Sequence, residues 1–301
     1  MAEKEKRIFL LTGDLGFSVF ETFRDKFPDR FINMGVAEQN MIGVAAGLAL
    51  CGKIVFVYSI VPFVTLRCLE QVRNDLCYQN LNVRLIGSGG GVTYGTAGAT
   101  HYGLEDIAIM RSLVNMTVVV PGDRTETELV IRKSISTKGP IYIRIGRSFG
   151  DVHSSLTKIE FGKGIIVKDG KDIALIATGS MLFLAKKIAE ELSRKKISVC
   201  FVSMPTIKPI DVNLIKKLVK KTKAIFTIEE HSIIGGLGSA ISEIIAETNQ
   251  KILFKRYGFH DRYMKLVGSQ EYLLRKNGLM PEQIVSDILL YLMKKGNKNV
   301  Y

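Results

Sequence analysis

The 301 residues contain no tryptophan, and cysteine, histidine and proline are scarce at four, four and seven. Cys51, Cys68, Cys77 and Cys200 form no Cys-x-x-Cys pair and have no histidine at ligand spacing, which argues against a disulfide scaffold or a zinc-finger module. Reduced thiols in a cytoplasmic protein are the simplest reading. Acids are also in short supply: 42 Lys and Arg against 29 Asp and Glu leave a net charge of +13. Much of that excess sits in pairs such as Lys186-Lys187 and Lys216-Lys217, which read as solvated helix faces. No aromatic-interleaved basic motif accompanies them, so the expectation is no nucleic acid; a phosphorylated ligand or an acidic protein surface suits the charge better. A membrane span is not expected either. The most hydropathic stretch, residues 41–64, is broken by Gly52 and Lys53 and followed closely by Pro62, short of the roughly 18 unbroken apolar residues a span needs. The charged start, Met-Ala-Glu-Lys-Glu-Lys-Arg, does not read as a secretory signal.

What the chain has is the composition of a soluble globular protein, 47% apolar and 24% charged, with length enough for two domains. Short β-branched runs alternate with helical spacings. Strands are expected at 7–12, 30–34, 53–58, 82–86, 116–120, 140–144, 172–177, 197–203 and 224–228. Helices are expected at 17–27, from Glu38, at 65–77, 125–136, 181–196, 211–221, 237–249 and 281–294. This order predicts an α/β chain of two three-layer α/β domains, each with a mainly parallel sheet. The boundaries are set at 1–150 and 165–301, with residues 151–164 as a linker.

One block stands out: Gly35-Val-Ala-Glu38-Gln39-Asn40, then Met, Ile, Val, Ala, Gly and Leu with no further charge before Lys53. A carboxyl entering an apolar run loses water, so its pKa is expected to rise. The plain alternative is a core helix whose first-turn acid caps its own end. Gly43 and Gly47 leave a thin helix that another backbone or a flat ligand could approach. The Gly87–His101 stretch carries six glycines yet closes with no Gly-Lys-Ser/Thr, so it is no Walker loop.

The Glu38 block resembles the pyrimidine-binding domain of the transketolase family. The likeness continues through Arg67, Glu70-Gln71, Asn74, Thr100-His101, Leu104-Glu105-Asp106 and Tyr142-Ile143-Arg144-Ile-Gly-Arg147. It resumes at Glu229-Glu230-His231 with Gly235-Gly236-Leu237-Gly238. The resemblance implies that Glu38 bonds the aminopyrimidine of thiamine diphosphate and drives its proton transfers, and that Phe63 stacks on the pyrimidine. It places Ile60 and Leu66 where relatives often carry further aromatics. Asp14 and Ser18 fall at the cofactor and substrate mouth, His101 near the reacting carbonyl, and Arg147 on a substrate phosphate. Arg144 is expected in a structural ion pair, and His153 and His260 as surface or structural residues. The third-domain motif is expected to carry no chemistry, although its glycines could open an anion site.

Two positions depart from the family pattern. Gly89 stands where a histidine is usual, and Thr96-Ala97 where Glu-Asp is usual, which puts an ordinary pentose-phosphate substrate in doubt. The Gly-Asp-Gly motif, which holds the diphosphate through Mg²⁺ in thiamine enzymes, does not occur in the chain. The resemblance therefore implies the C-terminal subunit of a split transketolase, moving a two-carbon ketol unit from a ketose to an aldose. Thiamine diphosphate and Mg²⁺ would be its cofactors, with no metal ligand in this chain. An N-terminal subunit carrying Gly-Asp-Gly would be its partner in an α2β2 heterotetramer, with a sugar or sugar phosphate as substrate. The alternatives are a 1-deoxy-xylulose-5-phosphate-synthase-like chain, a 2-oxo-acid dehydrogenase beta-type subunit, and a non-catalytic assembly subunit.

Overall fold

The structure is a computed structural model that describes residues 1–296; the last residues of the expected 165–301 domain lie outside the described part. Its strands, in chain order, are β1 (Ile8–Thr12), β2 (Phe31–Asn33), β3 (Ile54–Ile60), β4 (Val83–Ser88), β5 (Thr117–Val119), β6 (Ile141–Ile145), β7 (Ile165–Lys168), β8 (Ile173–Ala177), β9 (Val199–Ser203), β10 (Thr206–Lys208), β11 (Ala224–Ser232) and β12 (Leu253–Phe259). They form two sheets, in the orders β10-β5-β6-β4-β3-β1-β2 and β12-β11-β8-β9-β7. Every pairing is parallel except β10 on β5 and β7 on β9, so each sheet is mainly parallel, with helices on both sides.

Alternation along β3 shows how the first sheet gets its two faces. Val55 and Val57 join Leu11, Met41, Ile42 and Ala45 in the core beneath the Glu38 helix. Ile54 and Phe56 point the other way, against Ile8, Leu10 and Val130. β8 is buried along its whole length, as a central parallel strand between two helical layers should be.

Three strands were not expected. β7 is a short edge strand, and β12 carries the half-buried Lys255 and Arg256 in its middle. β10 leaves the carboxyl-terminal half and adds to the first sheet, Thr206 opposite Val119, with Val120 N–H donating to the Pro205 carbonyl at 2.7 Å. This covers an edge that would otherwise be open and ties the halves together. Two expected helices are also corrected. The 17–27 helix shrinks to Glu21–Lys26 plus a 3-10 turn at Pro28–Arg30. The 65–77 helix becomes a short turn, Leu69–Gln71, running into a π-helical segment at Val72–Tyr78. Among the described residues no helix is long and apolar enough to cross a membrane.

Candidate functional site

β1 is flanked by β2 on one side and β3 on the other, so the direction of winding reverses between β1 and β3. Open parallel sheets take ligands outside the strand carboxyl ends at such a reversal. The helix Glu38–Leu50 begins there, and its first residue is 1% exposed. The Glu38 carboxylate accepts the Ser59 hydroxyl at 2.9 Å on Oε1 and Arg67 Nη1 at 2.6 Å on Oε2. Gly13, just past β1, makes room for it: a β-carbon there would stand 3.3 Å from Oε1. Glu38 therefore turns onto the sheet. The helix's N-cap, Ala37, provides no side-chain hydrogen bond to it. The surroundings are also less purely apolar than the residues after Glu38 imply, since a guanidinium lies on the carboxylate.

That guanidinium joins a larger group. The Arg67 side chain, 40% exposed, lies with its Cζ 4.2 Å from the Phe63 ring centroid. His101 also packs against Phe63, edge-on at 5.1 Å between ring centroids. Glu38, Arg67, Phe63 and His101 thus form one contiguous group, drawn from segments that the sequence separates. Arg67 had stood out only as part of the likeness. It lies just past the short Val61–Val64 helix, and its four-residue spacing from Phe63 is the signal that could find it. His101 ends a 3-10 turn, Ala99–His101, and its Nδ1 is 3.0 Å from the Thr100 hydroxyl. It does not cap the following helix, which starts at Asp106 after Glu105.

The remaining candidates form no hydrogen bond to this group among the described residues. Asp14 is exposed, and its carboxylate accepts Asn33 Nδ2 at 2.9 Å. Ser18 is exposed, and its backbone N–H donates to Glu21 at 2.7 Å. Arg147 is exposed at the end of β6, where its N–H donates to the Thr93 hydroxyl in the glycine loop at 3.2 Å. Ile60 is half-buried, whereas Leu66 is 44% exposed and makes a poor pocket wall in this chain taken alone. The space beside Gly89 is filled by the Tyr94 ring, whose hydroxyl is 3.1 Å from Ser88 Oγ. Gly43 and Gly47 face open space. Among the described residues no three His, Cys, Asp or Glu side chains gather as a metal would require.

A second polar cluster lies between the halves. Arg144 Nε donates to Asp106 Oδ2 at 2.8 Å, both side chains buried, which is the expected ion pair. The Tyr142 hydroxyl donates to the same oxygen at 2.6 Å; burial and Asp106 hold its pKa far above the usual range. The expected anion site at the 235–238 glycines is already filled by the chain itself. Glu229 accepts the N–H groups of Leu237 and Gly238 at 2.7 and 2.8 Å. Burial pushes the Glu229 carboxyl up to about 7 and the neighbouring His231 down to about 4. His153 is structural: its Nε2 is 2.8 Å from Glu126, which raises its pKa against the opposing effect of burial. His260 is exposed.

Residues 1–150 match the family described as the transketolase pyrimidine-binding domain, and residues 162–284 match the transketolase C-terminal domain. The chain belongs to the transketolase family. More particularly, it resembles carboxyl-terminal subunits of enzymes encoded in two pieces. A Methanocaldococcus jannaschii protein provisionally named a transketolase C-terminal section is 42% identical over 301 residues, covering 98% of this chain and 93% of that one. A subunit of the apulose-4-phosphate transketolase of Actinobacillus succinogenes is 36% identical over 271 residues, covering 90% of this chain and 87% of that one. A solved structure described as a split gene transketolase, an inactive beta4 tetramer, superposes with a TM-score of 0.89 at 38% identity, covering 97% of this chain and 94% of that one.

Proposed function

We propose that this chain is the carboxyl-terminal subunit of a split, thiamine-diphosphate-dependent transketolase that moves a two-carbon ketol unit from a ketose to an aldose. The observation that carries the reading is the buried Glu38 carboxylate at the β1/β3 reversal, in one group with Phe63 and His101.

The residues fit the pyrimidine half of the cofactor. A buried carboxylate suits a ring nitrogen, an aromatic face suits a flat heterocycle, and Gly13 puts no side chain against Glu38 Oε1. Arg67 covers both Glu38 and Phe63, so it has to swing aside, and its exposure gives it solvent to move into. Bound there, thiamine diphosphate would supply a nucleophilic carbon for the ketose carbonyl. Glu38 holds a proton at the pyrimidine nitrogen and is kept in place by the Ser59 hydroxyl. Phe63 orients the ring. His101, at the mouth, holds or moves a proton at the substrate oxygen, and Arg147 holds an anionic substrate tail with its planar fork. Ile60 and Leu66 complete the apolar wall, and Asp14 and Ser18 line the entrance. Mg²⁺ and the diphosphate would fall to an N-terminal partner bearing the Gly-Asp-Gly motif that this sequence lacks, in an α2β2 assembly. Gly89 and Ala97 supply neither a phosphate ligand nor an acid, so the donor is held by other groups than in pentose-phosphate transketolases.

The test is reconstitution: mix the chain with that partner, thiamine diphosphate and Mg²⁺, offer ketose and aldose, and follow both products. Ketol transfer without carbon dioxide release from pyruvate is expected. No transfer by a mixed complex that forms, or release of carbon dioxide from pyruvate, would overturn the reading.

A further inference from the structure

The glycine loop that ends in His101 is held from the other half of the chain. Its base is closed by a reciprocal pair, Gly91 N–H to the Gly103 carbonyl and Gly103 N–H to the Gly91 carbonyl, both at 2.9 Å. Everything between could swing as a flap, yet β11 and the segment after β12 reach in and fasten it. Glu230 Oε1 accepts Val92 N–H at 2.8 Å, while Oε2 accepts Gln270 Nε2 at 2.8 Å and the Ser180 hydroxyl. Gly91 has to lack a side chain: its φ is +71°, and a β-carbon would come within 2.3 Å of the Glu230 carboxyl. Arg144 Nη2 donates to the carbonyls of Gly103 and Glu230 at 2.7 and 2.8 Å. Further along, the Gly95 carbonyl accepts Gly268 N–H at 3.1 Å and lies 2.8 Å from the Tyr102 hydroxyl, which also reaches the Leu266 carbonyl.

We propose that Glu230 is a positioning residue: by fixing Val92 it holds the 89–103 loop so that His101 lies against Phe63, beside Glu38. This rests on the transketolase reading for what His101 does, but the clamp is a property of this chain. All three donors found on this buried carboxylate belong to its own chain, so its bonds go into rigidity. Glu230 lies in the carboxyl-terminal half, which among the described residues contributes no side chain to the Glu38 group itself. That half therefore frames the reacting side of the site.

Substitutions at three positions and three readouts decide it. Glu230→Ala should speed hydrogen exchange at loop amides from Val92 to His101 while the Glu38 helix exchanges as before. In the reconstituted enzyme kcat should fall about 10- to 100-fold, the cost expected of a catalytic group displaced by about 1 Å. Apparent affinity for thiamine diphosphate should stay within about twofold, since Glu38 and Phe63 are untouched. Glu230→Gln should restore most of both, because Oε1 still accepts Val92 and Gln270 can flip its otherwise unpartnered Oε1 onto the new amide. If Glu230→Ala fails to fold, Tyr102→Phe removes the hydroxyl link to Gly95 and Leu266 and should show the same loop exchange with a smaller fall in kcat. The cycle with His101→Ala is the sharpest discriminator: adding Glu230→Ala, or Tyr102→Phe where that replaces it, to His101→Ala should slow turnover no further. Multiplying losses, or unchanged loop exchange, would overturn the clamp. If the wild-type complex transfers no ketol unit, the functional reading fails and the exchange data alone decide the clamp.

Discussion

Glu38 and the Glu229–Glu230 pair are all buried acids, but their partners differ in kind. Glu229 and Glu230 accept from backbone N–H groups, Ser180 and Gln270, all fixed parts of the fold. Glu38 accepts from one hydroxyl and from Arg67, a long side chain that is 40% exposed and can leave. A buried carboxylate whose main partner is replaceable is built to meet something else; one held by buried donors of its own fold is built to hold the fold still. On the proposed function, the mouth of the first sheet is the reactive part and the seam between the halves is its frame.

That contrast can be broken in order of effect. Glu38→Gln should lower turnover of the reconstituted enzyme by about a thousandfold, within the range for a lost acid–base group, while the chain stays folded. Unchanged turnover would leave only the assembly role. Arg144→Met should do the reverse, acting on the frame: breaking a buried pair with Asp106 should cost about 3–5 kcal/mol in denaturant unfolding of the chain alone. A loss under about 1 kcal/mol would mean that the seam is not load-sharing.

A smaller effect comes from Glu229. Its folded carboxyl titrates at about 7, against an ordinary value of 4.5, so the folded state grips the proton more tightly than the unfolded one. Its stabilising contribution is fully present below the ordinary value and is lost as pH rises to about 7, at up to about 1.4 kcal/mol per pH unit. His231, held down to about 4, drifts the opposite way as pH rises to its ordinary 6.5, so the wild-type profile is flattened there. In Glu229→Gln the stability difference from wild type should shift steadily in the variant's favour from pH 4.5 to 7. A difference independent of pH would place the titration elsewhere. The smallest effect is at Phe63: Phe63→Leu keeps an apolar wall but removes the stacking face, and should weaken thiamine diphosphate binding by about 1 kcal/mol.

How much of this was legible in the sequence follows the range of each signal. β1, β3 and the Glu38 helix were readable because long apolar runs, the glycines after β1 and one isolated acid are all local features. The three missed strands had no such signal. Thr206-Ile-Lys is too short for a period, and its pairing with β5 is a tertiary fact. β7 has too few residues to show its alternation, and the charges of β12 disguise its core contacts. The same holds at the site. Glu38 could be found from its neighbours in sequence, but Ser59 and Arg67 stand 21 and 29 residues away, and only the β1/β3 reversal brings them to it. Glu230 was visible as part of a motif, yet its hold on Val92 spans 138 residues and left no local trace.

The most direct test is calorimetric: titrate thiamine diphosphate with Mg²⁺ into this chain mixed with its N-terminal partner. Saturable uptake that neither subunit shows alone is the expected result, with Glu38 and Phe63 closing one wall of the pocket. Heat no greater than dilution from a mixture that has assembled would mean that the group around Glu38 is not half of a cofactor site.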